Sequence, residues 1–88
     1  MHSDPYHFCR VCGYEAEDAP WGLDGVNPTF EICPSCGVEY GYEDATPAGA
    51  RRYRERWLAT GGNWSDRTIP GDGLDVQQRL QRVPKTYR

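Results

Sequence analysis

The sequence predicts a small α+β domain in which two metal-stabilised β knuckles are followed by one or two short helices. Three observations lead there. Four cysteines fall in two Cys-x-x-Cys-Gly pairs, Cys9/Cys12 and Cys33/Cys36. Before each pair, apolar and polar residues alternate, as in a short strand with one buried face. Farther on, Thr46-Pro47 and Gly61-Gly62 enclose apolar residues at helical spacing, a start, a periodic face and a stop. A chain of 88 residues also buries only about 60 to 65 percent of the surface it exposes when unfolded, so its thin core calls for a staple.

The cysteines can supply that staple as two disulfides or as metal ligands, and compartment decides between them. Met1 to Phe8 offers no basic start, no apolar run of secretory length and no small-residue cleavage site, and no window reaches the roughly 20 apolar residues of a membrane span. A cytoplasmic location with reduced thiols is therefore expected, and with it a metal. The 20 residues between Cys12 and Cys33 suit a tetrathiolate zinc site. Cys9, Cys12, Cys33 and Cys36 are the expected ligands, zinc the expected ion and iron the alternative. Four sulfurs leave no position for a catalytic water. His2 and His7 are then surface residues rather than ligands, and they form no nucleophile-and-base pattern with Ser3, Ser35 or Ser65. An enzyme is not expected.

The first knuckle spans Tyr6 to Tyr14 and the second Phe30 to Val38, as an internal repeat. The glycine after each pair, Gly13 or Gly37, supplies a left-handed backbone for the turn. Between them, Pro20, Gly22, Gly25, Asn27 and Pro28 mark a loop, with Trp21 and Leu23 expected to cover the metal site. Thr46 caps a helix over about 47–60, with Pro47 at its first position. Ala50, Tyr53 and Trp57 form its apolar face, Leu58 lies beside it, and Arg51, Arg52, Arg54 and Arg56 form a solvated face. Residues 1–64 make the metal domain and 65–88 a C-terminal extension. There a weaker helix is expected from about Gly73 to Val83, capped by Asp72, with Val76, Leu80 and Val83 on one stripe that can dock to the body or to a second copy of the chain. Pro84 to Arg88 are expected to be loose.

Charge divides the chain. Residues 1–45 carry one base against nine acids, net −8, and residues 46–88 nine bases against four acids, net +5. Opposite potentials favour docking of one half on the other, and an exposed basic helix for nucleic acid is the sharper alternative. The aromatics Trp21, Tyr40, Tyr42 and Trp64, rimmed by acids, are candidate protein-binding residues. Another protein is the expected partner, since the acidic half repels phosphates; no membrane partner is expected, and a homodimer is open.

Cys9-Arg10-Val11-Cys12-Gly13-Tyr14 with Cys33-Pro34-Ser35-Cys36-Gly37 resembles the paired knuckles of rubredoxins and zinc ribbons. That resemblance implies a zinc-ribbon/rubredoxin-like fold with the four cysteines as ligands. In the rubredoxin case it implies iron and one-electron transfer. Phe30-Glu31-Ile32-Cys33-Pro34-Ser35-Cys36-Gly37, the acidic-aromatic stretch Glu39 to Asp44 and the helix core Arg54-Glu55-Arg56-Trp57 are similar to small bacterial cysteine-rich proteins marked by a Cys-Pro-x-Cys centre. This second resemblance reaches to about Trp64 and implies zinc. A structural zinc-binding protein-interaction module is the leading expectation, and since some small acidic proteins of this kind act as immunity proteins, an inhibitor or immunity-type role is one form it can take.

Overall fold

In the computed structural model, which describes residues 5–69 and 71–88, the chain makes one turn twice, at an offset of 24 residues from 9 to 33. In the first copy Gly13 N–H donates to the Cys9 carbonyl at 3.0 Å, Cys9 N–H to Tyr14 at 2.8 Å and Ala16 N–H to His7 at 2.8 Å. In the second, Gly37 N–H donates to Cys33 at 2.8 Å, Cys33 N–H to Val38 at 2.9 Å and Tyr40 N–H to Glu31 at 3.0 Å. Gly13 and Gly37 share a φ of 83°, which L side chains rarely adopt.

The arms of these turns are not strands. Among the described residues there is no strand and no sheet, only the isolated antiparallel bridges Phe8↔Glu15 and Ile32↔Glu39. The expected α+β zinc-ribbon with β knuckles is overturned. Neighbouring backbone explains why pairing stops after one bridge. A 3₁₀ turn at Pro5–His7 runs directly into the first arm. The second is interrupted by Phe30 at φ 64° before it and by Gly41 at φ 108° after it. The apolar-polar alternation does not mark a buried face, since Tyr6, Phe30 and Ile32 are all exposed, and four residues of it are too few to distinguish a turn from a ladder.

Helix α1 covers Pro47–Ala59, with the Thr46 hydroxyl accepting from Gly49 N–H at 3.0 Å. Ala50 and Trp57 are buried, and the Tyr53 hydroxyl donates to the Cys36 carbonyl at 3.1 Å. Arg51, Arg52 and Arg56 lie on the exposed side. Arg54 does not. Its Nε donates to the Val11 carbonyl at 2.6 Å and its Nη2 to the carbonyls of Arg10, at 2.9 Å, and Tyr87. One guanidinium thus ties the helix, the first cysteine turn and the end of the chain. Arg54→Ala leaves three carbonyls without this donor and is expected to cost about 3 kcal/mol. Thermal unfolding of the metal-loaded protein checks this, with Arg54→Lys restoring only part, because an ammonium lacks the planar fork.

Helix α2 is shorter than expected and starts later. It covers Val76–Leu80 and is capped by Asp75, not Asp72, through a reciprocal box: Gln78 N–H to Asp75 at 2.8 Å and Asp75 N–H to the Gln78 side chain at 2.9 Å. Gly73 at φ 78° cannot belong to a right-handed helix, and Asp72 instead accepts from Leu74 N–H at 3.0 Å. Residues 65–83 fasten to both cysteine turns. Ser65 and Asp66 N–H groups donate to the Ser35 and Pro34 carbonyls at 3.0 and 2.9 Å. Arg79, 3% exposed, donates to the Ser35 hydroxyl at 2.7 Å, and Arg82 Nε donates to the Gly13 carbonyl at 3.1 Å.

The tail expected to be loose is packed. Lys85–Tyr87 forms a 3₁₀ turn, the Arg10 guanidinium lies 4.3 Å from the Tyr87 ring centre, and Arg88 Nε donates to the Val83 carbonyl at 3.0 Å. The basic half does dock on the acidic one. It does so mainly through arginines on main-chain oxygens; the ion pairs that cross the halves are Arg56–Glu43 at 3.0 Å and Arg82–Glu15 at 3.9 Å. No helix among the described residues is long and apolar enough to cross a membrane.

Candidate metal centre

The two turns bring Cys9, Cys12, Cys33 and Cys36 to one point. Their sulfurs all lie within 4.8 Å of one another, and pairs across the turns are closer, Cys9 to Cys36 at 3.8 Å and Cys12 to Cys33 at 3.7 Å. Thiolates at about 2.3 Å from a tetrahedral ion lie about 3.8 Å apart, so the spacing fits such a shell. It is far beyond the roughly 2.05 Å of a disulfide, and all four cysteines are free. Cys9, Cys12 and Cys33 are fully buried and Cys36 is 4% exposed. The four cysteines are positioned to bind a metal ion.

The electrostatics couple the site to protons. Burial, reinforced by hydrogen bonding among the four sulfurs, pushes the Cys9 thiol well up; burial does the same to Cys36. For Cys33 burial acts in the same direction, but hydrogen bonds from Cys12 and Cys36 win and hold it well down. A buried, metal-free set therefore retains protons on Cys9 and Cys36 at neutral pH. Binding must release them, so the stabilisation that the ion contributes is present at higher pH and lost as pH falls. Chelator competition between about pH 8 and about pH 6 is expected to show apparent affinity falling by more than one decade per unit, since more than one proton returns per ion released.

Val11 N–H points at Cys9 Sγ at 3.4 Å, a contact that holds a sulfur ligand in place. Tyr40 is 2% exposed with its hydroxyl buried and without an oxygen or nitrogen partner. Burial, then the nearness of Cys9 and Cys33, push its phenol far up. It is a wall of the sulfur cluster, which corrects its assignment as a partner-binding residue.

The other aromatic candidates do not form one patch. Trp21 is half-buried, with its Nε1 donating to Asp44 at 2.8 Å and the Arg10 guanidinium 4.0 Å from its ring centre. Trp64 packs edge-on against Tyr14 at 5.7 Å and beneath Arg79 at 4.9 Å. Only Tyr42 of the four is open, at 62% exposure. Leu23, expected over the metal site, is exposed. His7 Nδ1 donates to the Ala16 carbonyl at 3.0 Å, and His2 lies outside the described residues.

Asp44 is the residue that sequence reasoning missed. By sequence one acid among nine at the end of an acidic-aromatic stretch, it is fully buried. It accepts from Trp21 Nε1 and from Gly41 N–H, each at 2.8 Å. It thereby pins the 15–29 loop to the second turn's arm. Asp44→Ala is expected to cost about 2 kcal/mol by leaving both donors unpaired, with a change in Trp21 fluorescence; unaltered melting and emission would contradict this role.

Fold and site together define a cysteine-rich chain built around four sulfurs positioned to bind a metal ion. No family model matches the chain, and no solved structure matches it. It is similar to two uncharacterized proteins of Bacillus subtilis (strain 168): YoaQ, 34% identical over 60% of this chain, and YozI, 35% identical over 60%. The chain spans 58% and 57% of the length of these relatives.

Proposed function

We propose that the chain is a non-catalytic structural zinc protein that presents a protein-binding surface, and that this surface centres on Phe30 and Tyr42. The single observation that supports the reading is their geometry. Phe30 is the one non-glycine residue at positive φ among those described, and it is 55% exposed, with its ring 5.9 Å from that of the open Tyr42. A left-handed bulky residue costs about 1–2 kcal/mol, and strain of this kind concentrates at functional sites. The pair projects from the arm of the second cysteine turn among Glu31, Glu39 and Glu43. This is an aromatic anchor within a polar rim.

Four sulfurs fill a tetrahedral shell, so zinc here supplies folding energy rather than a reactive water. The surroundings are of mixed charge, since Arg52 and Arg56 line the same cavity as Tyr42 and Arg56 pairs with Glu43, and an inhibitor or immunity-type role is the particular form we propose for the interaction. Nucleic-acid binding through α1 has less support, since Arg54 is committed to main-chain carbonyls.

Elemental analysis and a visible spectrum, on protein made in medium holding both zinc and iron, test the metal. One equivalent of zinc and no colour is the expected result; one equivalent of iron with a red, reversibly bleached chromophore would replace the reading with electron transfer. Affinity capture with the wild-type chain and a Phe30→Ser/Tyr42→Ser double variant as baits tests the surface. A partner retained in moderate salt by the first bait and lost from the second is expected, and equal capture by both would remove these residues from the interface.

A further inference from the structure

The four cysteines are not equally sheltered. Cys36 alone retains exposure, and it lines a surface cavity of about 260 Å³ together with Tyr53, Arg56, Trp57 and Thr60. Cys33, on the opposite limb of the same turn, is fully buried beside the Tyr40 wall, and Cys9 and Cys12 are fully buried as well. Of the four cysteines, Cys36 is the one that borders this cavity. Across the centre, Cys9 Sγ lies 3.8 Å from Cys36 Sγ, within reach for a second step.

We infer that Cys36 is a modification site for hydroperoxides, with Cys9 as its resolving partner, so that oxidation joins the two turns by a disulfide and releases the metal. This rests on the metal reading above. The thiolate is the reactive form of cysteine, and access selects among thiolates. In the first step an electron pair on Cys36 sulfur attacks one peroxide oxygen. The O–O bond breaks, a sulfenic acid forms, and hydroxide leaves. In the second step the Cys9 thiolate attacks the Cys36 sulfur, the S–O bond breaks, the S–S bond forms, and a second hydroxide leaves. Two thiolates give up two electrons and the peroxide is reduced to two hydroxides, taken up as water. The sulfurs close from 3.8 Å to about 2.05 Å. Cys12 and Cys33 remain as two thiolates, too few to retain the ion.

The inference requires selectivity, and the sequence supplies a convenient readout. Cleavage after Arg10 separates Cys9 from Cys12, Cys33 and Cys36, which share the next fragment up to Arg51. A Cys9–Cys36 bond therefore links two peptides, whereas Cys12–Cys33 closes a loop within one. The experiment treats the zinc-loaded full chain with less than one equivalent of hydrogen peroxide, follows zinc release with a chromophoric chelator, alkylates the remaining thiols and maps the peptides by tandem mass spectrometry. Expected are a Cys9–Cys36 link, alkylated Cys12 and Cys33, and one zinc released per link, with zinc binding regained after reduction. Oxidation first at Cys12–Cys33, or spread evenly over the four, overturns the inference. Thr60→Phe, which narrows the cavity from its exposed rim, is expected to slow zinc loss severalfold at unchanged zinc content, and an unchanged rate counts against access through Cys36. A chain that holds no zinc before oxidant is added sinks the metal reading itself, whereas a loaded chain oxidised elsewhere sinks only this inference.

Discussion

Cys33→Ser is expected to leave a chain with no cooperative unfolding transition. Cys33 is fully buried, its sulfur lies 3.7 Å from that of Cys12, and its N–H and carbonyl both close the second turn. With one ligand lost, the shell is incomplete. The binding energy of a small structural zinc site, on the order of 10–16 kcal/mol, is folding energy. That is as large as the whole stability of a typical domain, about 5–15 kcal/mol. The core cannot make up the difference, because the cysteines are themselves a large part of it. Chelation of the wild-type chain should have the same effect. Far-ultraviolet circular dichroism and proton chemical-shift dispersion, recorded before chelation, after it and after zinc is restored, provide the check. A metal-free chain that melts cooperatively at the original temperature would show that the ion is not the staple.

The second large effect separates two glycines that the repeat makes equivalent. Gly13 and Gly37 have the same φ, but a Cβ on Gly13 would sit 1.7 Å from the Arg79 carbonyl oxygen, whereas a Cβ on Gly37 would meet the Ser65 hydroxyl at 2.9 Å. A hydroxyl can swing away; a main-chain carbonyl cannot move without its segment. Both substitutions to alanine incur the left-handed penalty of about 1–2 kcal/mol. Gly13→Ala also forces residues 79–83 off the first turn, an overpacking cost of typically 1–3 kcal/mol. Denaturant titration of the zinc-loaded variants is expected to place Gly13→Ala about 2 kcal/mol below Gly37→Ala. Equal losses would mean that the C-terminal segment yields without resistance.

The cysteine set and the limits of α1 were legible because each rests on local chemistry. Cys-x-x-Cys-Gly encodes its own turn, and Thr46, Pro47 and Gly61-Gly62 mark the ends of α1. The remainder depends on partners distant in sequence. Alternation before each cysteine pair looked like a strand, yet Phe30 at φ 64° and the 3₁₀ turn at Pro5–His7 confine pairing to single bridges. Asp72 and Asp75 are equally good caps by type, and the choice falls to the residue that has Gln78 three positions on and no glycine following. Tyr40 and Tyr42 are near neighbours in an acidic-aromatic stretch, but one closes the sulfur cluster and the other faces water. Arg54 read as solvated because arginine usually is. Its acceptors belong to residues 10, 11 and 87, and nothing in helical periodicity points to them.

Those acceptors have a consequence for how such a scaffold can change over generations. Arg54 and Arg82 grip the first cysteine turn by the oxygens of Arg10, Val11 and Gly13, and a peptide oxygen is present whatever side chain its residue carries. Substitutions that alter the charge of exposed positions such as Glu17, Asp18 or Glu31 leave this grip intact. Descendants of the chain can therefore change the charge of the acidic half's surface while inheriting the same anchorage.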